Sequence, residues 1–552
     1  MSIIREVDGR FELTQELPRS QFYNKDLAPV RLEKRTWGYY EYFSMWVGMS
    51  VCVPTWMLGA SMIAAGFDWL TTILTIFLGN LIVLAPMILD SFAGAKYGIP
   101  FPVFMRSAFG LFGANIPALL RGIIACGWFG IQTMIMAFAL DGIIMKLAPA
   151  YGNFNSTIPF FNMESHVVIS FAVSWLLTVV ICYVSPPWKA SPGIRWLNNL
   201  ASPILLLIGL GLLFWGVTKA GGWGPMLAQP RTASWSKWPA FLTAMVSYWS
   251  TLALNIPDLT RFAKSQKVQY LGQALGLPPT MTAYSFFGVA VTSATVIIYG
   301  EAIWDPVKLM IKTGNPFYIF VGLIFVILAT LTTNITANMV SPINDFINLL
   351  PKYLNWERTT IIIALIGVLM QPWRFLADPN AYIWTWLLGY GAFTGGIAGV
   401  VICDYWIIRK QRLKLHDIYI ADGIYKFDEG RTNWVAVIYA IVLLVATILL
   451  WQAGAILGKG WPSTITTLIL ALGLVAGIYL YISRAKGVNF AGVLALFTGI
   501  VGSLLLAKFS ESLSQWTWFT GAIIGYIAYW ALYRGWYQKH FPAVPEVDSL
   551  AE

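Results

Sequence analysis

The chain has 552 residues, of which 57% are hydrophobic and only 11% charged, with a net charge of +10 and a mean hydropathy of +0.66. Such a composition excludes an ordinary soluble protein and describes a polytopic membrane protein. The surplus of 36 Lys and Arg over 26 Asp and Glu is no nucleic-acid footprint, because it is spread over alternate loops, where it reports topology.

Residues 1–36 are polar, carry Glu6, Asp8 and Glu12 and hold no apolar stretch, so they read as a cytoplasmic lead-in and not as a signal peptide. Apolar windows of about 20 residues then give fourteen candidate spans. They lie at 43–66, 70–92, 115–145, 166–185, 198–219, 238–258, 277–300, 315–340, 358–376, 382–406, 433–456, 463–482, 488–508 and 516–533. Basic clusters at Arg31, Lys34 and Arg35, at Arg261, Lys264 and Lys267, and at Arg409, Lys410, Arg412 and Lys414 fall on one side of the membrane. The positive-inside rule therefore puts both termini in the cytoplasm. The chain divides into a lead-in (1–36), a core of ten spans (37–408), a cytoplasmic loop (409–432), C-terminal spans (433–535) and a tail (536–552).

The first span is interrupted by Gly48 and Pro54; the proline ring removes a backbone bond and clashes with an earlier carbonyl, so a break is expected there. In the third span Trp128 and Gln132 stand four residues apart, on one helical face. An indole beside a carboxamide suits a flat, hydrogen-bonding heterocycle, and equally a tryptophan anchor with a helix–helix hydrogen bond. The sixth span carries Ser247, Ser250 and Thr251 around Trp249 and ends in Asn255, Pro257 and Asp258. It is a second candidate for a discontinuous helix, with Trp249 in the break as a second stacking surface. Breaks in spans one and six point to two five-helix halves in inverted repeat, with binding sites at the midplane between them.

Thr330 to Asn338 in the eighth span places six hydroxyl or amide side chains in nine residues, a segment that lipid alone would not accommodate. At about 100° per residue, Thr332, Thr333 and Thr336 share a face with Ala329, and Asn334, Asn338 and Ser341 take the opposite one. The threonine face resembles a sodium site completed by backbone carbonyls near Gly48 and Val51, or else a set of hydroxyls bonded to their own helix. Asp141 and Asp404 are ionisable groups in or near the membrane; Asp141 is expected to pair with Lys146 or to relay protons, and Asp404 to sit at the interface.

Cys52, Cys126, Cys182 and Cys403 all lie in apolar spans, so no disulfide is expected. No His/Cys/carboxylate cluster, HExxH, G-x-S-x-G or Walker-type loop occurs, which leaves neither an enzyme nor an ATP-driven pump with a local signature. Energy is expected to come from an ion gradient, without a cofactor.

An ordered series of motifs identifies a family. It runs from Asn24-Lys-Asp-Leu-Ala-Pro29 and Arg35-Thr-Trp-Gly38 through Lys96-Tyr-Gly-Ile-Pro-Phe-Pro102 and Gly127-Trp-Phe-Gly-Ile-Gln132. It continues with Asn255-Ile-Pro-Asp-Leu-Thr-Arg-Phe262, Asn338-Met-Val-Ser-Pro342 and Asp404-Tyr-Trp-Ile-Ile-Arg-Lys410. Over about residues 20–455 plus the last span, the chain resembles the nucleobase:cation symporter-1 family. The resemblance implies an all-α, LeuT-like five-plus-five bundle with discontinuous helices 1 and 6. It also implies import of a nucleobase such as uracil or cytosine, or of an allantoin- or hydantoin-type ureide, coupled to sodium or protons. Trp128 and Trp249 match the tryptophans that sandwich substrate in that family, and Gln132 and Asn338 match its hydrogen-bonding amides. Gly48, Val51, Ala329, Thr332 and Thr333 match its sodium ligands. Cys52 and Tyr248 depart from the family pattern and reshape the pocket. Twelve spans are usual there, so 463–508 reads as an added hairpin. A plasma-membrane location, with the lipid bilayer and the small substrate as partners and no nucleic acid or obligate protein partner, completes the expectation. A non-transporting sensor of the same ligands is the alternative.

Overall fold

The glycine and proline of the first span act as their chemistry dictates. In the computed structural model, which describes residues 3–18, 20–184, 192–427 and 487–537, with backbone alone over 192–202 and 536–537, helix α1 (Tyr39–Ser50) stops at Val51. Helix α2 (Val53–Ala64) starts after Cys52, and the two are bent by 57°. Pro54 sits in the first turn of α2, where its missing N–H costs nothing. At the break Cys52 N–H bonds the Ser50 carbonyl (3.0 Å) and Thr55 N–H bonds the Cys52 carbonyl (3.2 Å). The carbonyls of Gly48 and Val51 thereby lose the i+4 donors of a continuous helix.

Helices α3 (Trp69–Tyr97), α4 (Asn115–Leu147), α5 (Ser165–Val184) and α6 (Pro192–Lys219) follow. Two short turns, Phe101–Phe104 and Arg106–Phe109, separate α3 from α4. The sixth span is helix α7 (Trp238–Asn255) followed by a short α8 (Pro257–Thr260). This corrects the expected position of the break: α7 runs unbroken through Trp249, and the interruption falls at Ile256. Nothing between Ser247 and Thr251 takes away a backbone donor, and Ser250 Oγ donates back to the Ser247 carbonyl (2.8 Å), whereas Pro257 does remove one.

Helix α9 (Gln266–Tyr299) leads to the eighth span, built from a π-wound turn (Phe317–Gly322), α10 (Leu323–Asn338) and α11 (Val340–Leu349). Its interruption at Met339 went unread in the sequence. Pro342 lacks the N–H that the Asn338 carbonyl would accept, so the helix parts just beyond the polar stretch. Helix α12 (Trp356–Leu369), a π-wound segment (Ala381–Leu387) and α13 (Gly391–Ile402) end the region expected to form the core. Helices α14 (Phe490–Phe509) and α15 (Thr517–Leu532) end the described chain. Seven described helices, and the bent α1–α2 pair, are long and apolar enough to cross a membrane.

Small residues let the helices close on one another, as in membrane bundles generally. A Cβ at Gly59 of α2 would lie 2.9 Å from the Ser285 carbonyl of α9, and one at Gly395 or Gly399 of α13 would collide with the Trp518 or Ala522 carbonyl of α15. Helix α14 joins the same body, since a Cβ at Gly499 would stand 2.9 Å from the Gly521 carbonyl. The second half of the hairpin expected at 463–508 is thus packed directly on α13 and α15. Its first half and the span expected at 433–456 lie outside the described residues.

The lead-in is folded. Strands β1 (Ile4–Val7) and β2 (Arg10–Leu13) form an antiparallel hairpin that docks on one end of the bundle through Arg35. This guanidinium donates to the carbonyls of Phe11, Val30 (2.9 Å), Ala95 and Lys96, and burial lowers its pKa to about 10.

The structure supplies the partners of two ionisable groups and corrects the pairing expected for one, Asp141 with Lys146. Asp404 is fully buried, paired with Arg409 (2.8 Å) and hydrogen-bonded by Ser107 (2.9 Å) and Tyr529 (2.7 Å); the guanidinium, with donors from two other segments, offsets the desolvation of burial. Asp141 pairs with His166 (2.8 Å), which also reaches Glu164 (2.7 Å), and Lys146 points to the exterior.

Candidate functional site

Helix α4 carries Trp128 and Gln132 on one face, and α7 brings Tyr248 and Trp249 against them. The Tyr248 ring meets Trp128 edge-on (centroids 5.2 Å, 75°) and Trp249 likewise (5.0 Å, 82°). Its hydroxyl lies 3.0 Å from Thr55 Oγ1 and 3.6 Å from Cys52 Sγ, at the break between α1 and α2. The sequence-derived set Trp128, Gln132, Tyr248, Trp249 and Cys52 therefore comes together beside the broken helix.

Residues the sequence reading did not single out complete the wall. Trp386 lies 5.7 Å from Trp128 and Tyr382 lies 6.4 Å from it, while Trp46 meets Trp249 at 5.1 Å. Tyr382, Trp386 and Tyr390 recur every four residues, a spacing that puts them on one helical face and could have drawn notice.

This wall is rich in polar atoms that the protein leaves without a partner. The indole N–H groups of Trp46, Trp128, Trp249 and Trp386, the Gln132 Oε1 and the Ser247 Oγ are buried without a hydrogen bond. Trp128 and Trp249 are each 6% exposed and Gln132 3%. An unmet buried donor or acceptor costs on the order of 1–3 kcal/mol, so several around one aromatic cluster suit a ligand that carries both acceptors and donors.

Asn338 reaches this region through a relay. Its Nδ2 donates to Asn334 Oδ1 (3.0 Å), and Asn334 Nδ2 donates to the Phe129 carbonyl and to Thr133 Oγ1 (both 3.2 Å). The amide stripe of α10 is thereby fastened to α4 next to Trp128.

The opposite stripe of α10 holds the residues proposed for an ion. Thr332 Oγ1 donates to the Ala329 carbonyl and Thr336 Oγ1 to the Thr332 carbonyl (both 2.9 Å), the own-helix bonding that is the alternative expectation, and the first of these sets two of the five candidate oxygens side by side. Thr333 is buried and makes no hydrogen bond among the described residues. Helix α1 packs on α10, and its Gly48 and Val51 carbonyls are the ones relieved of their helical donors at the break. Neutral hydroxyls and freed carbonyls are the donor set a hard monovalent cation takes, so these residues fit sodium. No group of three or more His, Cys, Asp or Glu that could hold a metal ion occurs among the described residues.

Comparison with known proteins agrees with this architecture. The profile of a family described as permeases for cytosine/purines, uracil, thiamine and allantoin matches residues 29–468. The chain is 41% identical over 436 residues to the purine-uracil permease NCS1 of Arabidopsis thaliana, covering 77% of this chain and 70% of that one. It is 36% identical over 412 residues to the allantoin permease of Bacillus subtilis, covering 74% and 83%. Among solved structures, the inward-facing conformation of Mhp1 superposes with a TM-score of 0.70 at 23% identity, covering 97% of this chain and 98% of that one. Mhp1 in a closed conformation with bromovinylhydantoin bound gives 0.62 at 24% identity, covering 90% and 100%. These likenesses establish the LeuT-like fold. With an aromatic site at a broken helix, that fold and a family match over most of its length, the chain belongs to the nucleobase:cation symporter-1 family and is a membrane permease, not an enzyme.

Proposed function

We propose that this permease imports a flat, single-ring nitrogen heterocycle, uracil or cytosine or an allantoin- or hydantoin-type ureide, by alternating access driven by a sodium gradient. The observation that carries the reading is the set of unpartnered indole N–H groups and the free Gln132 Oε1 around Trp128, Tyr248 and Trp249. A planar ring can stack on the indoles while its carbonyl and N–H edges satisfy those atoms. Tyr248 presses on both tryptophans, and its bulk beside them favours a small ring over one with a bulky substituent. Relatives named for purine and uracil, uracil, allantoin and hydantoin transport support this substrate class.

Sodium would sit between α1 and α10, held by the carbonyls of Gly48, Val51 and Ala329 and the hydroxyls of Thr332 and Thr333. Helix α10 then serves both ligands, with threonines toward the ion and Asn338 toward the substrate. Ion and solute would favour the same arrangement of α1 against α10, which is what coupling requires. The permease is assigned to the plasma membrane with both termini cytoplasmic, so the end bearing the docked lead-in faces the cytosol. The test is uptake of labelled uracil, cytosine, allantoin and hydantoin into proteoliposomes with and without an inward sodium gradient. Accumulation of at least one of them that depends on sodium supports the reading; no accumulation of any overturns it.

A further inference from the structure

Asp90, on α3, takes no part in the site described above. It is 1% exposed, its Oδ2 is buried without a partner, and the carboxyl makes no hydrogen bond or ion pair among the described residues. The other buried aspartates are all engaged. Asp404 has Arg409, Asp345 has Arg121, Asp258 accepts from the Phe101 N–H, and Asp305 caps the helix Pro306–Lys312.

The elements packed on α3 include α2, α7, α8, α9, α13 and β2. They bring Asp258 on α8, Lys267 on α9 and Arg10 and Glu12 on β2, with the phenols Tyr248, Tyr270, Tyr284 and Tyr299, and α3 itself carries Lys96 and Tyr97; none of these makes a hydrogen bond or ion pair with Asp90. A naked carboxylate in that setting would bear a desolvation cost of several kcal/mol. An ionisable residue kept inside a membrane protein without a structural partner is by default a functional one.

A second feature lies on the same helix. Along the α3–α9 seam Gln266 Nε2 donates to the Phe92 carbonyl (2.9 Å), Gln269 Nε2 to Gln266 Oε1 (3.0 Å), and Gln273 Nε2 to Gln269 Oε1 (2.7 Å) and Ser91 Oγ (2.9 Å). Gln273 Oε1 is buried and unpartnered. This polar ladder climbs from the start of α9, at the end bearing the lead-in, to the residue next to Asp90 in the chain.

We propose that Asp90 is a proton-binding site of the transport cycle. It holds a proton while α3 is packed on α7, α8 and α9, and releases it to water along the glutamine seam when these helices part. The proton is a second coupled ion, bound as carboxylate plus proton giving carboxylic acid, apart from the residues proposed for sodium. The inference rests on the transport reading for its role in the cycle, but not on which heterocycle is carried.

The experiment uses full-length protein in proteoliposomes at fixed sodium, with the outside made acidic and labelled uracil as probe. Wild type is expected to accumulate label in response to the pH gradient. Asp90→Asn is expected to go on exchanging labelled for unlabelled uracil while losing the pH-driven accumulation, and Asp90→Glu to restore it. An Asp90→Asn variant that responds to the gradient as wild type does, or a wild type that ignores it while still exchanging uracil, overturns the proposal. Should Asp90→Asn fail to fold, infrared spectra of wild type and Asp90→Glu decide the matter. A protonated-carboxyl band that shifts between them supports the site, and its absence overturns it. Absence of uracil exchange by the wild type counts against the substrate, and the infrared result then still decides Asp90.

Discussion

Tyr248 Oη and Thr55 Oγ1 lie 3.0 Å apart, fastening α7 to the first turn of α2 just past the break in the first span. The same tyrosine ring rests edge-on against Trp128 and Trp249. One side chain thus touches the broken helix and both proposed stacking surfaces.

Removing that hydroxyl should therefore be felt at the site. Tyr248→Phe keeps the ring and loses one hydrogen bond worth about 1 kcal/mol, so the KM for the preferred heterocycle should rise by up to about tenfold, read from initial rates of uptake. Tyr248→Gly should relax selection, letting ring-substituted hydantoins compete with uracil where wild type rejects them.

The stacking residues should matter more. Trp128→Ala removes a contact of about 1–3 kcal/mol, by analogy with base–aromatic stacking, and should lower uptake by about fivefold to a hundredfold. Trp128→Phe should retain part of it. Gln132→Ala should impair uptake of every heterocycle in the panel, because its amide can face either a donor or an acceptor edge.

For the ion, Thr332→Ala and Thr333→Ala should each move the sodium activation curve of uptake to higher sodium while leaving substrate affinity at saturating sodium close to wild type. Ala329→Gly, which keeps the carbonyl, should shift the curve less.

Stability should respond at places remote from the site. Gly395→Val drives a side chain into the Trp518 carbonyl, and overpacking of this kind costs about 1–3 kcal/mol. Arg409→Ala strands the buried Asp404 carboxylate and should cost about 3–5 kcal/mol. Thermal unfolding of the purified protein measures both, and a surface change such as Lys146→Ala should leave it unmoved.

The fold was legible where the sequence breaks a rule of membrane helices. Gly48 and Pro54 gave the bend, and the polar run from Thr330 to Asn338 marked a helix whose polar side chains are largely buried within the protein. Twelve of the fourteen apolar windows hold helix, and the other two lie outside the described residues. What escaped reading depends on contacts between elements distant in sequence. The break in the sixth span is the exception, a local effect of Pro257 at Ile256 while Ser250 Oγ folds back on the Ser247 carbonyl. The burial of Asp404 depends on Ser107 and Tyr529, about 300 and 125 residues away by the hydrogen-bond register. The proximity of Trp46 and Trp386 to the tryptophan pair likewise emerges only when α1, α4, α7 and the segment before α13 come together.

The central claim is that a flat heterocycle binds between the Trp128 and Trp249 surfaces. Its most direct test is binding of uracil, cytosine, allantoin and hydantoin to the purified permease by isothermal titration calorimetry, with wild type and Trp128→Ala run side by side in sodium. The account predicts saturable binding of at least one of the four by wild type and its loss in a Trp128→Ala protein that still unfolds cooperatively. Equal binding by the two proteins would contradict it.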